Sequence, residues 1–309
     1  MLATAAVQRE LPVATFSVRL RQLHDLVCHS AVVALVTLLA NGATHKRSNM
    51  SREFGAKGAD DVVSVYGRTF PSYSRSEIHP AISKIMENLP RGSLLDFPSG
   101  TGSLAWRLKN EGFAVAAADI APEAFINPEI EIRQGDLNSR FPFDAAQFDY
   151  ACFVEGPEHV ENVFQCLREF ARVLKPGGRL IVSLPNYSNL QNRFKQFLNG
   201  VIEPVVSYES LKSDYLGNEF MIHINRLPYP MMRMALEFAG FKIESVHEDR
   251  QKKKQRLLWP IALLIQLLTH LRGEKGQRKY WLKDSNATQV LMGGNTLILV
   301  ARLINTRPA

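Results

Sequence analysis

From residue 80 the hydrophobic pattern switches regularly between two periods. In Pro80–Leu89 the apolar residues Ile82, Ile85, Met86 and Leu89 recur at helical spacing, whereas Ser93–Phe97 is a short continuous apolar run of the strand kind. A glycine turn and a helix at Ser103–Asn110 follow, then a strand at Phe113–Ala118 that ends on Asp119. Ile130–Arg133 and Phe148–Phe153 read as further strands, and a helix at Val160–Leu174 leads to a strand at Arg179–Leu184. A helix at Pro230–Ala239, closed by Gly240, precedes strands at Phe241–Val246 and Thr296–Ile304. Strands alternating with helices at this pitch predict a parallel sheet covered on both faces, and right-handed crossovers make it doubly wound α/β. The last two strands are separated by a long insertion and not by a single helix, which predicts a mixed edge.

Three segments are distinguished along the chain. Residues 1–49 show no strand–helix alternation and read as an N-terminal extension, either dispensable or contributing a helix packed on the domain. Residues 50–249 and 293–309 make up the α/β domain, and 250–292 is the insertion. The apolar run Ala31–Ala40 has the character of a signal-peptide core, but roughly thirty residues precede it and no clear small-x-small site follows.

Composition narrows the class. With 309 residues, 46% hydrophobic and 22% charged, the chain is an ordinary globular one, and collagen-like, disordered and disulfide-scaffold classes are excluded. Cys28, Cys152 and Cys166 form no C-x-x-C pair, which excludes a zinc ribbon and suggests a reducing, cytoplasmic setting. The net charge of +7 is concentrated: ten Lys/Arg face one acid between Arg250 and Lys283, leaving the remainder at −2. Such a distribution argues against a general nucleic-acid coat.

The candidate chemistry begins at Asp96-Phe-Pro-Ser-Gly100-Thr-Gly102, where a strand delivers a turn able to approach a ligand closely. Asp119 ends the next strand, where a carboxylate can accept both ribose hydroxyls, and Asp136 ends the third. Gly100-x-Gly102-x-x-Ala105 also satisfies the dinucleotide fingerprint, so the turn alone leaves a nicotinamide enzyme open.

Downstream segments separate these readings. LLDFPSGTGSLAWRL, VAAADI, QGDL, FDYACFVEGPEHVEN and LREFARVLKPGGRLIVSLPN together resemble the class I S-adenosylmethionine-dependent methyltransferases of the type 11, ubiquinone-biosynthesis-like group. The resemblance covers roughly residues 80–190. It implies a Rossmann-like, mostly parallel seven-stranded sheet with an antiparallel terminal strand, and S-adenosyl-L-methionine as cofactor. Carried over, Gly100 and Gly102 would line the methionine and ribose portion and Asp96 would orient the methionine amino group. Asp119 with Ile120 would hold the ribose side, and Asp136 with Leu137 the adenine. Pro98 stands where the family has its first glycine; proline fixes φ and removes a donor.

After the fourth strand comes Glu155-Gly-Pro-Glu158-His159, three potential ligands within five residues. This E-x-x-E-H resembles the metal motif of methyltransferases that act on catechol-like quinone precursors or on small-RNA ribose ends. That resemblance implies a divalent cation such as Mg on Glu155, Glu158, His159 and His223, and catalytic roles for the first three. The alternative is structural, with a glutamate capping the next helix and the histidine packed beneath it. The connection Pro185–Tyr229 spans 45 residues, long enough for a lid, and supplies Asn186, Tyr187, Tyr208, Tyr215 and His223 as acceptor contacts.

In the insertion, a basic cluster at Arg250–Arg256 runs into the apolar stretch Leu257–Leu271, too short to span a bilayer. It reads as a monotopic anchor through 250–272 at the cytoplasmic membrane face, with a core helix, a dimer interface or RNA phosphate binding as alternatives. The expected activity is therefore O-methylation of a small amphipathic or lipid-linked acceptor. RNA ribose O-methylation and a non-catalytic methyltransferase-like scaffold are the alternatives; nucleic acid is the less favoured partner, and the sequence leaves the oligomeric state open.

Overall fold

The computed structural model describes residues 62–71, 77–214, 222–250 and 253–304, all within one unit, Arg52–Ala309. The readings made for 1–49, the run Ala31–Ala40, Cys28 and Tyr215 lie outside the described residues.

The described chain opens with a hairpin, β1 (Val62–Val65) and β2 (Arg68–Pro71), followed by α1 (Ile78–Met86). Then come β3 (Ser93–Asp96), α2 (Ser103–Asn110), β4 (Ala114–Asp119), β5 (Ile132–Gln134), β6 (Phe148–Phe153), α3 (Val163–Val173) and β7 (Leu174–Pro185). The long connection carries α4 (Leu190–Asn199) and α5 (Tyr208–Asp214) and leads to α6 (Tyr229–Phe238) and β8 (Phe241–Glu248). The insertion folds as α7 (Trp259–Leu271), α8 (Glu274–Lys279), α9 (Leu282–Ser285) and α10 (Thr288–Leu291), and β9 (Thr296–Leu303) closes the chain.

Strands β3 to β9 form one seven-stranded sheet in the order β5-β4-β3-β6-β7-β9-β8. β3, β4, β5, β6 and β7 run parallel, while β9 pairs antiparallel with both β7 and β8. The Rossmann-like, mostly parallel α/β fold and its mixed edge are therefore present. Core side chains lie on both faces, as a doubly wound sheet requires. On one, Ile78, Ile82, Met86, Leu104 and Leu108 cover Leu94, Cys152 and Ile181. On the other, Val163, Leu167, Phe170, Met232 and Leu236 pack on Leu95, Phe153 and Val182.

Two boundaries differ from the sequence pattern for local reasons. The helix expected from Val160 starts at Val163, because Asn162 caps it by accepting a hydrogen bond from Gln165 N–H at 3.0 Å. The strand expected at Arg179 begins at Leu174 and pairs with Phe148 across an irregularity in register.

Candidate active site at the carboxyl edge of the sheet

The parallel strands all point to one edge, so the residues following them share a single crevice. In sheet order that edge carries Asp136 after β5, Asp119 on β4, the Asp96–Gly102 turn after β3, Glu155–His159 after β6 and Tyr187 after β7.

The β3 turn is built for close backbone approach. Gly102 lies in the left-handed region at φ +88°, and a Cβ there would stand 2.5 Å from the Phe125 ring. Asp119 braces the turn from the neighbouring strand: Oδ2 accepts from Gly100 N–H at 2.8 Å and Oδ1 from Ala121 N–H at 3.0 Å. His79 of α1 supports the helix that follows, its Nδ1 lying 3.1 Å from Ser103 Oγ. Burial, aided by the Arg107 charge, lowers its pKa to about 4, so His79 is a neutral hydrogen-bonding group at pH 7.

Asp96 is the unusual member. It is 1% exposed, and among the described residues neither carboxylate oxygen makes a well-formed hydrogen bond. Burial first, and the nearby Asp119 charge second, raise its pKa to about 8; the Ala105 N–H only partly offsets them. A buried carboxyl so weakly partnered is costly to the fold, and a cationic ligand would relieve that cost. At the far end of the crevice Asp136 closes its own turn, accepting from Asn138 N–H at 2.8 Å. Leu137 packs against the core beside it, and Ile120 is 47% exposed.

The acceptor half abuts this turn directly: a Cβ on Gly156 would stand 3.0 Å from Pro98 Cδ. Glu158, His159 and His223 offer ligand atoms that all lie within 4.8 Å of one another. The segment bearing His223 is strapped to the β6 loop, with Ile224 and Asn225 N–H donating to Glu158 O at 2.8 and 2.9 Å. His159 Nδ1 lies 3.1 Å from Ile222 O. A carbonyl only accepts, so Nδ1 carries the proton and the basic lone pair is on Nε2. Glu158 is buried with Oε2 unpartnered among the described residues, and burial, reinforced by Glu155, raises its pKa well above its ordinary value.

Glu155 does not join this cluster. It turns out of line at φ +48°, its N–H donating to Ser183 Oγ at 2.9 Å, and the fourfold ligand set read from sequence reduces to three. The helix-cap alternative is also corrected, since Asn162 and not a glutamate caps α3.

Of the acceptor contacts read in the long connection, Tyr187 and His223 reach the site. Tyr187 OH donates to Glu203 Oε2 at 3.1 Å and lies 3.5 Å from His223 Nδ1. Asn186 is instead structural: wholly buried, it donates to Val290 O at 3.0 Å and accepts from Ser188 N–H. Tyr208 is 66% exposed on α5 beside Lys212. Glu203, which the sequence pattern does not single out, stands 3.5 Å from His223 Nδ1 and 3.6 Å from Arg226. Burial works to raise its pKa, but His223, Tyr187 and Arg226 hold it below the ordinary value. A lone glutamate in a connection without periodicity carries no signal until the chain brings it to His223.

Residues 95–182 match the family model described as "Methyltransferase domain". A demethylmenaquinone methyltransferase of Chlorobaculum tepidum is 28% identical over 172 residues, 52% of this chain and 69% of its own length. A 2-phytyl-1,4-naphtoquinone methyltransferase of Nostoc punctiforme is 33% identical over 39% of this chain and 60% of its own length. A demethylmenaquinone methyltransferase of Thermus thermophilus is 33% identical over 33% of this chain and 50% of its own. The chain thus spans between half and about two thirds of these relatives.

Proposed function

We propose that this chain, a class I S-adenosylmethionine-dependent methyltransferase, transfers a methyl group to a hydroxyl of an amphipathic aromatic acceptor of the quinone-precursor kind at a membrane surface. The relatives' named substrates support the acceptor class. The observation that carries the reading is the pairing of His159 and His223, ring centroids 4.9 Å apart, next to the Pro98 turn.

The turn fits the cofactor. Asp96, buried without a well-formed hydrogen bond among the described residues, suits the methionine ammonium, and Asp119 suits the ribose hydroxyls with lone pairs left over from its two backbone bonds. Ile120 follows Asp119 on the ribose side, and Asp136 with Leu137 lines the adenine side. When bound, the cofactor supplies a methyl group carried on a positively charged sulfur. His159 Nε2 is the base for the acceptor hydroxyl, turning a weak nucleophile into an oxyanion; its Nδ1–H to Ile222 O fixes the ring. Glu203 orients His223 beside it, its Oε2 3.5 Å from Nδ1. Glu158, raised by burial, serves as a neutral acid that can donate to the acceptor.

A second reading is favoured by the same cluster: the Glu158, His159 and His223 donors are of a kind that would hold a divalent cation and lower an acceptor hydroxyl's pKa. Glu155 would then act outside the coordination shell.

The test is label transfer by the full chain from methyl-labelled S-adenosylmethionine to an alkylated dihydroxyaromatic, with the same ring lacking its tail and a short RNA alongside. Label on an oxygen of the tailed acceptor is the expected result. Label on RNA ribose, or none on any acceptor while S-adenosylhomocysteine binds, would overturn the assignment.

A further inference from the structure

The insertion helix α7 is inside out. An amphipathic surface helix turns its leucines to the core and its polar residues to water. In α7 the inward positions are small or polar. Ala262 and Thr269 are buried, and Gln266 Nε2 donates to Asn286 O at 3.1 Å and to Thr288 Oγ1 at 3.2 Å. Asn286 in turn donates to Thr269 Oγ1 at 2.8 Å. The outward positions are Trp259, Leu263, Leu267 and Leu271 on one i,i+4 ridge with Leu264 and Leu268 beside it, 38 to 73% exposed. No Asp, Glu, Lys or Arg interrupts residues 257–271. A contiguous apolar stripe of this size on a protein surface is an interaction site.

Charge identifies what covers it. Arg256 stands before the stripe, and Arg272, Lys275, Arg278, Lys279 and Lys283 follow it, all exposed, against the single acid Glu274 from 256 to 283. A second copy packed on α7 in either orientation would bring these cations against one another with too few acids to answer them. A leaflet with anionic headgroups answers both features, accepting the leucines among its acyl chains and the basic ends at its phosphates. Trp259, 38% exposed, opens the stripe, and Tyr280, 51% exposed, follows the next helix among the basic residues; such rings favour the headgroup level. None of the described helices is long and apolar enough to cross a membrane, so α7 lies along the surface.

We infer that α7 is a docking surface for an anionic lipid leaflet, inserted by Trp259, Leu263, Leu264, Leu267, Leu268 and Leu271 and held by the flanking arginines and lysines. This face does not depend on the acceptor chemistry proposed above, and its test needs no acceptor.

The test is sedimentation of the full chain with phosphatidylcholine vesicles, with and without about 30 mol % phosphatidylglycerol. Brominated lipid reports insertion by quenching tryptophan, and Trp259→Phe assigns the signal. The expected result is binding that requires the anionic lipid, with quenching lost in Trp259→Phe. The charge-neutral pair Leu263→Gln/Leu267→Gln, at exposed sites, should weaken binding by about tenfold or more with an unchanged melting temperature. Three results would overturn the inference: no sedimentation of the parent chain, equal binding by the Leu→Gln pair, or a stable dimer that the pair dissolves.

Discussion

The rings of His159 and His223 meet edge to face, 4.9 Å between centroids, although one follows β6 and the other lies in the connection after β7. Two short backbone contacts to Glu158 O make that meeting a property of the fold and not of a chance rotamer.

His223→Ala should lower kcat by about 10²–10³-fold, within the range for a positioned acid–base group. His159→Ala should do the same. Calorimetric titration with S-adenosylhomocysteine should give unchanged affinity for both, because neither ring belongs to the Asp96–Asp119 half of the crevice. Weakened cofactor binding in either variant would show that the strap supports the whole edge.

Chelation separates the two readings of the cluster. If Glu158, His159 and His223 hold a cation, dialysis against a chelator should abolish activity and Mg or a similar ion should restore it. In the metal-free reading activity survives dialysis. Glu158→Gln keeps the shape and removes a ligand charge, so it should lower the cation's affinity in the first case and change mainly kcat in the second.

The glycine turn and the strands around it were legible in sequence because their signals are local: a strand, two glycines and an acid at the end of the next strand. Asp96, Asp119 and the Glu158–His159 pair were placed for that reason. Glu203 and the Asn186–Val290 bond were not, since each depends on segments brought together across the long connection or the insertion. Glu155 stands apart from the Glu158–His159–His223 group because ligand spacing assumes a regular backbone, and φ +48° at Glu155 breaks that regularity. The β1–β2 hairpin was missed as well; its core, Val65 and Phe70, packs on Trp106 of α2, outside the strand–helix alternation.

Buried Glu169 and half-buried Arg172 make an ion pair that pins the segment after Leu137. Glu169 Oε2 accepts from Phe141 N–H at 2.8 Å, and Arg172 donates to Phe141 O at 3.1 Å and Phe143 O at 2.8 Å. Glu169→Ala would leave the Phe141 N–H without its acceptor, costing about 1–3 kcal/mol, while Arg172 keeps its bonds to Phe141 O and Phe143 O. Arg172 and the Phe141 N–H outweigh burial and hold the Glu169 pKa below its usual value. Its contribution is therefore present above the unfolded carboxylate pKa and is lost as pH falls through the lower folded one. Chemical denaturation of parent and variant at pH 7 and below pH 4 should show the gap closing in acid.

Asp96 gives the opposite pH dependence, and it joins stability to function. Its pKa of about 8 in the folded chain stands far above the 3.8 of an ordinary aspartate. Between those values the folded state binds the extra proton, so this group's stabilisation is complete at low pH and lost as pH rises toward 8. The ammonium of the cofactor needs the ionised carboxylate. Affinity for S-adenosylhomocysteine should therefore rise by up to about tenfold per pH unit below the Asp96 pKa and level off above it. Asp96→Asn is neutral throughout. Its ligand-free form should melt higher than the parent at pH 8, and its weakened binding should no longer follow pH. A parent affinity that is flat from pH 6 to 8 would mean that Asp96 is already ionised in the ligand-free chain, and that a donor outside its immediate shell holds the charge.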